Sequence, residues 1–126
     1  MKTKKVLCFG NPFIPIDSLA IEIGKELKLK GFEFVICVSP QEIIQHTNFS
    51  FILDVCENIK KVSLIGIKDL KANTLFTLHD FDLNFFLQLM KSIGRIDEVK
   101  IIAIPINYDK QKAKEEIAKI LQRKNL

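Results

Sequence analysis

Glycine and proline are scarce in this chain of 126 residues, with 5 and 4 copies, and that excludes a collagen-like or low-complexity polymer. Long apolar runs are missing too. Stretches such as Val99 to Ile106 are interrupted by charge after a few residues, well short of the roughly 20 needed to cross a bilayer, so no membrane insertion is expected. The apolar run after the basic start Met1-Lys2-Thr3-Lys4-Lys5 ends at Gly10, which leaves no signal-peptide core or small-residue cleavage site and points to the cytoplasm. The three cysteines, Cys8, Cys37 and Cys56, form neither an even disulfide set nor a C-x-x-C pair, the pattern of buried thiols in a reducing compartment. Charge of one sign is also lacking. Lys plus Arg number 19 against 15 Asp plus Glu, and the ten Phe sit inside apolar runs rather than among basic residues, so no nucleic-acid partner is expected.

What is present, 48% apolar and 27% charged residues, suits one globular domain spanning 1–126. Lys5 to Phe9 reads as a buried first strand ended by Gly10-Asn11-Pro12. From Ser18 to Lys30 the residues Leu19, Ile23 and Leu27 recur every four positions opposite Glu22, Lys25, Glu26 and Lys28, which predicts an amphipathic helix ended at Gly31. Phe32 to Val38 is a second strand, and Ser39-Pro40-Gln41-Glu42 has the spacing of a helix start, opening a brief helix. Phe49 to Val55 is a third strand with Asp54 at its carboxyl end. Val62 to Ile67 is a fourth strand, but Cys56 to Lys61 is too short for a parallel crossover, so this strand is expected to run antiparallel, at an edge. A helix from Phe81 to Ile93 closed by Gly94, a central fifth strand from Val99 to Ile106, and a last helix from Asp109 to Arg123 complete the chain. The prediction is an α/β three-layer sandwich: a five-stranded, mostly parallel sheet with helices on both faces.

Ligands of such folds sit outside the carboxyl ends of the strands. Three polar residues fall there: Asp17 in the first strand-to-helix loop, Asp54 at the end of the third strand, and His79 at the start of the helix before the fifth. Two carboxylates and an imidazole suit a divalent ion such as nickel, zinc or manganese, and three ligands leave a position open. Each also has a plainer reading. Asp17 has the position of an N-cap, Asp54 of a solvated strand end, and His79 of a residue within a Thr77-x-x-Asp80 capping box. His46, in a polar stretch, is expected to be an exposed loop residue. Gly10 does not begin a nucleotide-binding loop, because the next glycine is Gly24.

The stretch Gly10-Asn11-Pro12-Phe13-Ile14-Pro15-Ile16-Asp17 resembles the opening G-N-P-x-x-x-D-[DE]-G-x-G of the hydrogenase maturation proteases, the M52-type peptidases, with the second, metal-binding acid of that motif on Asp17. Phe51-Ile52-Leu53-Asp54-Val55 resembles the family's second acid site, and Thr77-Leu78-His79 its histidine site. The sequence departs from the family pattern at Ile16, where the first acid would stand, at Ser18 and Ala20 in place of two glycines, and in the turn Cys37-Val38-Ser39. The resemblance implies an endopeptidase that removes the C-terminal extension of a [NiFe] hydrogenase large-subunit precursor after nickel insertion. It implies that Asp17, Asp54 and His79 reach nickel supplied by that precursor, that Asn11 and Ser39 contact substrate, and that the protein acts as a monomer. Nothing in the sequence singles out a nucleophile or general base. A relative that binds a hydrogenase subunit or metal without cutting is the alternative, and a nucleotide-binding regulatory domain is a third reading with only the fold in its favour.

Overall fold

The computed structural model describes residues 3–57, 59–66, 89–95 and 98–124. Lys4–Phe9 form β1, and Leu19–Glu26 the first helix, α1. Phe32–Cys37 form β2, Phe51–Cys56 β3, Ser63–Gly66 β4, Lys100–Pro105 β5, and Lys110–Lys124 the long helix α2. The five strands make one sheet in the order β2-β1-β3-β5-β4. β1 pairs parallel with both β2 and β3, and β3 pairs parallel with β5. β4 is antiparallel to β5 and lies at the edge, as its short connection to β3 requires. Burial follows rank in the sheet: β3 is buried at all six positions, whereas the edge strands β2 and β4 are largely half-exposed.

Two apolar layers flank the sheet. On one face Cys8, Leu53, Ile102 and Ile104 pack with Ala20 and Ile23 of α1 and Ala113, Ile117 and Leu121 of α2. On the other, Leu7, Phe9, Ile52, Cys56 and Ala103 pack with Ile43 and Phe49 and with Leu89 and Met90, in a helical stretch at 89–92. The predicted sandwich with helices on both faces is therefore the observed one. Ser39 and Glu42 make a complete capping box, opening a 3-10 helix, Pro40–His46. Gly94, at φ 74°, ends the helical stretch at 89–92: its amide donates to the Lys91 carbonyl, and that of Arg95 to the Met90 carbonyl. Asp109 caps α2 by accepting from the amide of Lys112 at 2.8 Å.

Three local expectations are corrected. α1 stops at Glu26 rather than continuing to Lys30, because Leu27 is extended (ψ 126°) and the chain unwinds toward Gly31, at φ 88°. Asp54 does not close its strand: it pairs with Ala103 inside the ladder, and β3 runs on to Cys56. His46 is half-buried at the end of its 3-10 helix, with an inward Nδ1 that has no hydrogen-bond partner among the described residues. His79 and most of the helix expected over Phe81 to Ile93 lie outside the described residues.

Candidate functional site

The chain leaves β1 toward β2 on one side and later returns to lay β3 on the other, so the strand order reverses between β1 and β3. Such a reversal opens a crevice at the carboxyl ends of the two strands. Asp17 follows β1, and Asp54 lies in β3 two residues before its end.

Asp17 is placed by the loop after β1. Gly10 is needed there, since a Cβ on it would overlap the carbonyl oxygen of Asp17. Asn11 Oδ1 accepts from the amide of Phe13 at 2.9 Å, the Ile14 amide donates to the Asn11 carbonyl at 3.1 Å, and the Asp17 amide donates to the Ile14 carbonyl at 2.9 Å. Pro15–Asp17 form a short 3-10 helix with Pro15 at its start, and Asp17 is 4% exposed. The cap position of the following helix is Ser18, not Asp17. Asp17 Oδ2 reaches back to accept from the amide of Asn11 at 3.1 Å, so the side chain closes its own loop.

Asp54 is completely buried in the central strand. Alternation along β3 puts it on the same face as Ile52 and Cys56. Its Oδ1 accepts from the amide of Val55 at 2.8 Å, and its Oδ2 has no hydrogen-bond partner among the described residues. Burial pushes its carboxyl well above the usual carboxylate range; the neighbouring charge of Asp17 pushes the same way, and the Val55 hydrogen bond opposes both. The charge of Asp54 in turn reaches Cys56 and Cys8, whose thiols are raised first of all by burial. All three cysteines are free and buried.

Two of the three predicted ligand positions are thus buried and electrostatically coupled. The third, His79, is outside the described residues, among which no group of three His, Cys, Asp or Glu side chains could hold a metal ion. The two predicted substrate contacts are occupied locally. Asn11 builds the turn, and the Ser39 hydroxyl accepts from the amide of Gln41 at 3.4 Å as a helix cap. The part played by Gly10 escaped sequence reading. A glycine directly before Asn-Pro at a strand end was its only signal, and the carbonyl it accommodates lies seven residues on.

No family model and no curated protein matches the sequence. Solved structures do match over nearly the whole chain. One is the [NiFe] hydrogenase maturation protease HybD from Thermococcus kodakarensis, with 20% identity, 98% of each chain covered and a TM-score of 0.69. A hydrogenase 3 maturation protease matches with 18% identity over 94% of this chain and 88% of that one, at a TM-score of 0.60. The chain has the fold of the hydrogenase maturation proteases. A hydrogenase 2 maturation peptidase from a Thaumarchaeota archaeon shares it as well, with 15% identity over 98% of this chain and 97% of that one, at a TM-score of 0.55.

Proposed function

We propose that this protein is an endopeptidase of hydrogenase maturation, removing the C-terminal extension of a [NiFe] hydrogenase large-subunit precursor once nickel is in place. The observation that carries the reading is the buried carboxyl of Asp54, whose Oδ2 has no hydrogen-bond partner among the described residues and which is coupled to Asp17 at the strand-order reversal. A buried carboxyl oxygen left unpaired costs about 1–3 kcal/mol, and with no partner among the described residues Oδ2 is an acceptor suited to a group that arrives from outside. A dication fits that description: its charge would offset the repulsion between the two carboxylates and draw the proton from Asp54. The nickel is part of the substrate, arriving with the precursor.

In this reading Asp17 and Asp54 supply hard oxygen donors, and His79, by its resemblance to the family's histidine site, supplies the nitrogen donor that nickel favours over an all-oxygen set. Nickel so held would mark a precursor as ready and place its scissile segment over the crevice. The reading puts the reaction in the cytoplasm, in keeping with three free thiols, and has the protein act as a monomer.

Incubation with purified precursor, followed on a gel, tests it. Wild type is expected to shorten nickel-loaded precursor and leave metal-free precursor intact, while His79→Ala loses cleavage and stays folded. Wild type that binds the loaded precursor without shortening it would establish the non-cleaving alternative. Wild type that neither binds nor cuts would end the hydrogenase reading.

A further inference from the structure

Five large apolar side chains are exposed among the described residues: Phe13 (90%), Ile14 (45%), Ile16 (43%), Val38 (54%) and Ile44 (58%). Scattered single apolar residues are ordinary on a protein surface, but these are not scattered. All five belong to the segments that leave β1 and β2, and the parallel register Phe9↔Cys37 sets those two exits side by side on the carboxyl edge of the sheet. Gly10 to Ile16 also carries no charged residue, in a chain that is 27% charged.

We infer that this apolar rim is the docking surface for the polypeptide substrate, with Phe13 as its aromatic anchor, an inference that rests on the peptidase reading above. The rim is continuous with the candidate site, because the turn bonds that present Phe13 are those that set Asp17. Asn11 Oδ1 holds the Phe13 amide, and Asn11 N–H holds the Asp17 carboxylate. A chain reaching into the crevice passes over this loop. The loop is also prepared in advance. Two prolines, Pro12 and Pro15, and the turn bonds fix its backbone, so little ordering cost is left to be met on binding.

The position of the rim selects the occupant: it adjoins the loop that sets Asp17, so the chain that covers it is the one that reaches the candidate site. The partner chemistry that fits is an uncharged, apolar segment of the substrate protein next to the bond to be cut. Ile16, at the position of an acid in the family motif, adds to the apolar surface immediately before Asp17.

The experiment measures KM and kcat for nickel-loaded precursor, melting temperature and sedimentation for wild type, Phe13→Asp and Phe13→Leu. Phe13→Asp is expected to raise KM roughly thirtyfold or more, the scale of a lost interface anchor, with kcat changed less than about twofold and an unchanged melting temperature. Phe13→Leu is expected to recover most of the loss. If wild type cuts and Phe13→Asp has an unaltered KM, the rim is not the docking surface and the peptidase reading stands. If wild type sediments as a dimer that Phe13→Asp dissociates without changing KM, a second copy covers the rim and the inference is overturned. A wild type that neither binds nor cuts removes the peptidase reading itself, and the inference with it.

Discussion

Asp54 illustrates how a single side chain can work against the fold that holds it. Burial raises its carboxyl above the ordinary value of 3.8, so the native state keeps a proton that the unfolded chain gives up as pH rises past that value. Proton linkage then runs in one direction: stability declines as pH climbs from about 3.8 toward the raised native value, and Asp54 is a cost at neutral pH. Asp54→Asn keeps the shape and removes the titration. At pH 7 it should stabilise the protein by about 0.5–2 kcal/mol, the usual gain of a stabilising substitution, while abolishing cleavage. The gain should fade as pH approaches 3.8. Melting curves of both proteins from pH 3.5 to 8 would check this, and parallel curves would show that the carboxyl is not raised. The sequence marked Asp54 as an acid at the end of an apolar strand, whereas the structure sets it inside the ladder, two residues before that end. That its Oδ2 meets no partner among the described residues was not legible, because that depends on which groups the neighbouring elements bring within reach.

At the scale of elements, α1 shows both what periodicity can tell and where it stops. The four-residue recurrence of Leu19 and Ile23 correctly marks a helix and its buried face. Leu27 continues the spacing but is extended, packing with Leu29 against the same apolar layer in an unwound stretch that delivers the chain to β2. At Gly24 the helix comes close to the sheet. A Cβ there would stand 2.7 Å from Cys8 Sγ and 3.1 Å from Ile36 Cδ1. Gly24→Ala should therefore destabilise the protein: overpacking costs about 1–3 kcal/mol, against a gain in helix propensity of up to about 1 kcal/mol. Urea midpoints for Gly24→Ala, Cys8→Ala and the double variant would test it, since removing the thiol should relieve the clash. Additive losses would place the strain elsewhere. On the solvent side, Lys110 lies 3.5 Å from Glu22 and 2.8 Å from Glu26, pairing α1 with α2, a link that no local pattern announces because 84 residues separate Glu26 from Lys110.

Across the whole molecule, the cysteines report on cooperativity. Cys8 is in the layer beneath α1 and α2, and Cys37 and Cys56 are in the opposite layer. Burial raises all three thiols, Cys37 to about 12. If the two layers unfold as one unit, a thiol reagent should modify all three at a single rate that rises with denaturant, and none of them in the native protein. Mass spectrometry resolving singly and doubly modified species would show instead that one layer opens alone. The fold class and the antiparallel edge strand were determined by the sequence itself, because strand burial and connector length are local properties that a few adjacent residues express. Only the tertiary structure decided that Asp17 turns back onto Asn11, that its charge bears on Asp54, and that Gly10 admits the Asp17 carbonyl. The contacts of Asp17 with Asn11 and Gly10 span only six and seven residues but depend on how the loop after β1 folds back, and the coupling to Asp54 depends on sheet order and register, which no local pattern contains.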